Sequence, residues 1–217
     1  MNMNRRSFLG AALAGATLMK ASVAGPASRE EGFVPLFDGK TFAGWEERKE
    51  AEGTFRIEGG AIVGGTLKDP VKNNEFLCTT AEYANFELRL QVRLIGQSAN
   101  AGIQIRSRRI PDHFEMIGYQ ADMGEGYWGC LYDESRRKKV LAQPAPEVLA
   151  NALKPADWND YHIRAEGARL QLWLNGVQTV DYTEADTSLE QTGLIALQIH
   201  SGPPCEARYR HIRIKSL

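Results

Sequence analysis

Only three cysteines occur in the 217 residues, Cys78, Cys130 and Cys205, and none stands at a spacing that holds a metal. An odd number leaves at least one unpaired within the chain, and buried structural thiols are the expectation. Proline is sparse, 9 in all, and hydrophobic residues make up 43%, which excludes a disordered chain. Charge of one sign is also lacking: the formal balance is -1. Removing residues 1–24 takes away Arg5, Arg6 and Lys20 but no acid, so the remainder stands near -4. Neither value points to nucleic acid or an anionic membrane as a partner. Long amphipathic helical runs are missing, as is any repeat of fixed period. The apolar run Phe8 to Met19 is too short for a permanent membrane anchor, so no membrane span is expected.

That run belongs to a leader. Asn4-Arg5-Arg6-Ser7-Phe8-Leu9 is a twin arginine followed by apolar residues, and Ser22-Val23-Ala24 offers the small residues a signal peptidase reads. Residues 1–24 are expected to be a twin-arginine signal peptide, with no cysteine at the cleavage point to take a lipid. Residues 25–32 read as a flexible segment and 33–217 as one domain in the periplasm or outside the cell.

The domain is a succession of short strands. Asn85 to Leu94 is the clearest: Phe86, Leu88, Leu90, Val92 and Leu94 alternate with Glu87, Arg89, Gln91 and Arg93. A helix would scatter those apolar residues around its circumference. Thr54 to Glu58 and Ala61 to Gly64 form a hairpin across Gly59-Gly60, and Asn175-Gly176 turns Leu170 to Leu174 into Val177 to Tyr182. Pro35 keeps Phe33 to Lys40 at a sheet edge. Glu75 to Thr79, Tyr161 to Ala165 and Tyr209 to Lys215 are further strands, and one helical turn is expected at Glu147 to Ala150. Such a succession predicts an all-β, two-sheet antiparallel sandwich or jelly roll, with a closed barrel as the rival architecture.

Three strands carry polar residues two apart opposite an apolar face. In Gly102 to Ser107, Ile103 and Ile105 alternate with Gln104 and Arg106; in Phe114 to Asp122, Gln120 and Asp122 oppose Tyr119. In Gly193 to His200, Gln198 and His200 oppose Ile195, Leu197 and Ile199. If the three share a sheet, these six side chains line one surface. His113 and Glu115 stand near the start of the second strand, and Tyr127, Trp128 and Tyr132 follow it. Amides, a guanidinium and a carboxylate beside aromatic rings suit a sugar, whose hydroxyls take hydrogen bonds and whose ring face stacks. The alternative for any one of these residues is an ordinary solvated sheet face. Asp133, Glu134, Arg136 and Arg137 read as a salt-bridged turn first and a groove rim second.

Gly118-Tyr119-Gln120-Ala121-Asp122, the run Tyr127 to Arg137, Pro35-Leu36-Phe37-Asp38-Gly39-Lys40, Trp158-Asn159, Leu174-Asn175-Gly176 and Ile212-Arg213-Ile214 together resemble the 3-keto-disaccharide hydrolase domain over Phe33 to Leu217. The resemblance implies a concanavalin A-like sandwich and action on glycosides oxidised to a ketone at carbon 3, in a groove on the concave sheet. Many members carry Asn-Ser-Gly where this chain has Asn100-Ala101-Gly102, so a hydroxyl that could face ligand is absent. The ketone acidifies the hydrogen on carbon 2, so a base can remove it, the glycosidic oxygen on carbon 1 can leave, and water can then add. Glu115, Asp122 and His200 are the candidates for base and acid, and Arg106 for polarising or binding oxygen. Gln104, Gln120, Gln198, Trp128 and Tyr132 would bind the sugar. A divalent metal on His200 with Asp122 or Glu115 is a further way to stabilise the enolate. Two other functions compete: a two-carboxylate glycosidase, which lacks here the Glu-x-Asp-x-Glu strand of laminarinase-like enzymes, and a non-catalytic carbohydrate-binding module.

Overall fold

The computed structural model describes residues 31–217; the expected leader at 1–24 and residues 25–30 of the expected flexible segment lie outside the described residues. Among the described residues are fifteen strands: β1 (Val34–Pro35), β2 (Trp45–Glu46), β3 (Phe55–Glu58), β4 (Ala61–Thr66), β5 (Glu75–Tyr83), β6 (Phe86–Ile95), β7 (Asn100–Arg109), β8 (Met116–Gly124), β9 (Leu131–Glu134), β10 (Lys139–Ala142), β11 (Asn159–Glu166), β12 (Arg169–Leu174), β13 (Val177–Thr183), β14 (Gly193–Ile199) and β15 (Cys205–Ser216). One α-helix, α1, spans Pro146–Ala152, with its proline in the first turn, where no N–H partner is missed, and a single 3-10 turn lies at Lys49–Ala51. No helix among the described residues is long and apolar enough to cross a membrane.

The strands form two antiparallel sheets, as a sandwich and not a closed barrel. The back sheet runs β13-β12-β11-β6-β15-β4-β3, with β1 on β15; the front sheet runs β10-β9-β8-β7-β14-β5-β2. Between them lies the core. Phe86, Leu88, Leu90 and Val92 of β6 meet Ile103 and Ile105 of β7, Ala121 and Met123 of β8, and Ile195, Leu197 and Ile199 of β14. Each such side chain, fully withdrawn from water, contributes about 1.5–3 kcal/mol. Both expected hairpin turns adopt the left-handed geometry that glycine tolerates, Gly59 and Gly60 at φ 58° and 76°, Asn175 and Gly176 at 50° and 82°.

The differences from expectation have local causes. β5 runs to Tyr83 instead of Thr79, because a register shift against β14 lets it absorb extra residues and continue. The expected salt-bridged turn is present: Asp133 near the end of β9 pairs with Arg136 and Arg137 in the turn that leads to β10. The short strands β9 and β10 on either side of it, four residues each, show no clear alternation in sequence. Cys78, Cys130 and Cys205 are all free and buried.

Candidate functional site

The three polar strands are neighbours, in the order β8-β7-β14 at the middle of the front sheet. Gln104 pairs with Gln120 on one side and Ala196 on the other; Gly102 pairs with Asp122 and with Gln198. On the sheet's outer face, Gln104, Gln120, Asp122 and Gln198 therefore converge about Gly102. That position has no room for a side chain, since a Cβ there would lie 2.5 Å from the Gln120 amide carbon. Gln120 leans over the glycine and points its amide at Asp122.

The result is a directional chain. Ser107 Oγ donates to Gln104 Oε1 (2.6 Å), Gln104 Nε2 to Gln120 Oε1 (2.8 Å), and Gln120 Nε2 to Asp122 Oδ1 (3.3 Å). The Met123 N–H also donates to that oxygen, at 3.0 Å. Gln198 stands apart: it is fully buried, and neither its nitrogen nor its oxygen has a partner. A buried amide with both ends unmet is costly unless something fills them, and the groove is where a ligand would.

A hairpin covers this face. The register passes from Ile105 opposite Tyr119 to Arg108 opposite Ile117, leaving Arg106 and Ser107 as a bulge against Gly118, with Arg106 left-handed at φ 47°. Beyond the bulge the hairpin end turns back across its own sheet. Met116 is buried against Phe76, Cys78 and Ala196, its sulfur 3.5 Å from that of Cys78, although β5 lies three strands from β8. Arg109 Nη2 reaches the Phe76 carbonyl (3.2 Å). Glu115 Oε1 accepts from Asn74 Nδ2 (2.9 Å), and the same asparagine takes the Ser201 N–H (2.8 Å) beside His200. The roof explains why polar residues on an outer sheet face are as dry as a core.

Dryness sets the electrostatics. Asp122, 4% exposed, has its pKa pushed up to about 8 by burial, against the pull of the Met123 N–H and the Gln120 amide; the charge of Glu134 raises it further. Neither hydrogen-bond donor is a cation. Burial also raises Glu115, partly offset by Asn74. Glu134 is raised chiefly by burial and then by Glu115, with the Ser135 N–H, His200 and Lys138 opposing.

Several expected site residues lie elsewhere or are otherwise engaged. Arg106 does not share the face of Gln104, because the bulge turns it over. Its guanidinium bonds the Ala84 carbonyl (2.8 Å), the Gly167 carbonyl (2.7 Å) and Asn85 Oδ1 (3.1 Å), tying together two turns at the sandwich's end. Burial with neutral partners lowers its pKa. Trp128 packs against the inter-sheet core. Tyr132 stands opposite Gln120, edge-on to the exposed Tyr127 at 6.5 Å between ring centres. Ala101 faces the core, so the hydroxyl of the family's Asn-Ser-Gly would not meet a ligand in the groove. His200 follows β14, half-buried, its Nδ1 2.7 Å from the Ser201 carbonyl. Glu115 comes to the groove on the hairpin roof, not along the strand. Among the described residues no three His, Cys, Asp or Glu side chains converge as a metal ion requires. His200, Asp122 and Glu115 thus do not form the ligand set considered above, and no step is drawn through a metal.

One residue of the groove was expected in a salt-bridged turn first and at the groove rim only second. Glu134 pairs with Gly118 across β8 and β9, so it faces the groove, while its neighbour Asp133 turns inward to Arg136 and Arg137. Two-residue alternation was the available signal, hidden in a charged run. A cavity of about 930 Å³ opens elsewhere, lined by Arg48, Thr54, Lys68, Val71 and Glu206. Its arginines are already paired, Arg48 with Glu75 (2.7 Å) and Arg56 with Glu206 (2.6 Å). It has no unmet polar group comparable to Gln198, and the groove is the better candidate.

Comparison with known proteins agrees with this architecture. The model of one family, described as the 3-keto-alpha-glucoside-1,2-lyase-like domain, matches residues 32–215. No curated protein matches the chain in sequence. Among solved structures it is similar to a candidate glycosyl hydrolase from Parabacteroides distasonis ATCC 8503, at 19% identity and TM-score 0.64, over 86% of this chain and 94% of that one. It is similar to the carbohydrate-binding module CBM66 from Bacillus subtilis, at 15% identity and TM-score 0.60, over 80% and 96%. A mutant of SCLam, a non-specific endo-beta-1,3(4)-glucanase of family GH16, aligns at 11% identity and TM-score 0.61, over 89% and 98%. Likeness at such identities is one of fold, and the fold is the concanavalin A-like sandwich.

Proposed function

We propose, on the premise that the chain belongs to the 3-keto-alpha-glucoside-1,2-lyase-like domain family, that it cleaves 3-keto-glycosides by elimination and hydration in the roofed groove of the front sheet. The observation that carries this is Asp122, a carboxyl sealed in the groove without a cation and protonated up to about pH 8. An acid that keeps its proton at neutral pH can give it to the departing glycosidic oxygen. The chain of amides from Gln104 through Gln120 fixes the carboxyl's orientation. Gln198, with a free donor and a free acceptor, meets the ketone and hydroxyl oxygens of the sugar. Tyr132 and Tyr127 offer ring edges and faces at the groove's border.

Glu115 and His200 remain base candidates within this reading. Residues 1–24 fit it as a twin-arginine leader, which would place the protein in the periplasm or outside the cell.

The test incubates the purified protein with a 3-keto-disaccharide and with its unoxidised parent. Release of free sugar from the ketone alone is the expected result. Cleavage of both substrates would replace this reading with a two-carboxylate glycosidase, and binding without turnover would replace it with a carbohydrate-binding module.

A further inference from the structure

Elimination needs a base as well as an acid, and the two oxygens of Asp122 cannot serve as both in one step. We propose that Glu134 is the group that takes the proton from carbon 2, an assignment that rests on the function proposed above. The residue lies on the groove face of β9, opposite Gly118 and two residues from Tyr132, which stands opposite Gln120 on the same face. It is half-buried, and of its two oxygens one accepts the Ser135 N–H (3.2 Å) while the other accepts nothing. Its neighbour Asp133 is fully buried between Arg136 and Arg137 and has no freedom to act.

The other two candidates each keep one free position: Glu115 has one oxygen on Asn74 and the other without a partner, and His200, whose Nδ1 lies at the Ser201 carbonyl, keeps its Nε2. Of the three, Glu134 is the one carried by a strand of the front sheet, where the sheet and not a loop sets its position. Groups facing Glu134 come from four elements: Glu115 on the hairpin end, His200 after β14, Lys138 in the turn after β9, and Asp122 on β8. His200 and Lys138 favour its ionised form. Burial and Glu115 make that form a stronger base than an exposed carboxylate. The two carboxyls differ in their surroundings: Asp122 is drier and faces no cation, whereas Glu134 faces His200 and Lys138. Groups driven apart in this way divide the roles of acid and base.

The step balances. Glu134 takes the hydrogen of carbon 2; the electron pair of that bond becomes the double bond between carbons 1 and 2; the pair of the carbon 1–oxygen bond leaves with the glycosidic oxygen. That oxygen receives the proton of Asp122. Water then adds: its oxygen bonds carbon 1, one of its protons returns to Asp122, and Glu134 returns its proton to carbon 2. Both carboxyls end as they began.

The experiment compares two substrates, a 3-keto-disaccharide and a nitrophenyl 3-keto-glucoside, whose leaving group departs without protonation. Glu134→Gln is expected to lose about 10²–10⁴-fold in kcat on both, and its residual rate should lack the wild-type acid limb. Asp122→Asn should lose that much on the disaccharide alone. Wild-type rates in Glu134→Gln, or a loss confined to the disaccharide, would overturn the assignment. If Glu134→Gln does not fold, Glu134→Asp, which keeps the charge and withdraws it by one methylene, is expected to be slowed on both substrates, and unchanged rates would overturn the assignment equally. A wild-type protein inert toward both substrates removes the underlying function, and this proposal with it.

Discussion

The outer faces of the two sheets follow the same rule in sequence and arrive at opposite physical states. On the back sheet, Glu87, Arg164 and His162 form a cluster across β6 and β11, and Arg208 reaches Glu206 and Glu58. Charges there meet charges at the solvent boundary. The front sheet carries amides and the carboxyls of Asp122 and Glu134 on that face, and its hairpin folds over its middle. Alternation puts polar residues outside the core in both cases. Water decides what they can do: a wet face cancels its charges, whereas a dry one leaves Asp122 protonated and Gln198 unmet.

The largest test of this contrast is Asp122→Asn, expected to lower turnover of a 3-keto-disaccharide by about 10²–10⁴-fold. The pH dependence carries a sign. Wild-type kcat/KM should fall as pH rises through about 8, where Asp122 gives up its proton; the variant's residual rate should lack that limb. Stability should also fall as pH rises, over a lower range. The folded protein keeps a proton on Asp122 that the unfolded chain releases near the ordinary aspartate value of 3.8, so wild-type stability declines between that pH and about 8. Asp122→Asn should therefore gain nothing below about pH 4 and melt higher than wild type above about pH 8. Melting curves at both ends check this.

Arg106→Ala comes next. Three acceptors at the sandwich's end lose their donor, and a loss of about 3 kcal/mol is expected in denaturant unfolding. Turnover per folded molecule should persist; its abolition would return Arg106 to the chemistry. Gln198→Leu should weaken binding of a 3-keto-sugar by about 10-fold, measured by calorimetry, while leaving stability equal or higher, because a buried amide without partners is removed. The smallest effect belongs to the back face. Arg164→Ala should cost about 0–1 kcal/mol and leave turnover unchanged, since its ion pairs are open to water and salt.

Much of the fold was legible. The alternation in β6 and the glycine turns at 59–60 and 175–176 follow from two-residue periodicity and left-handed φ, which are local properties of the chain. The central polar cluster was legible too, because Gln104, Gln120, Asp122 and Gln198 each interrupt an apolar run at strand spacing. Arg106 was misplaced because one residue of bulge reverses which face a side chain takes. Glu134 was hidden because β9 is four residues long and charged on both faces. Trp128 follows a tight turn whose direction no periodicity reports, and it went to the core.

By itself, then, the order of residues determined an all-β sandwich and the polar character of three strands, since both arise from contacts between near neighbours along the chain. Only the tertiary structure decided that these strands lie side by side, that a bulge removes Arg106 from them, and that the hairpin end seals the groove through Met116 and Asn74. The acidity of Asp122 belongs to this second class. A carboxyl's pKa depends on how much water remains around it, and that water is excluded by residues from β5, β7, β8 and β14 that meet only after the chain has folded.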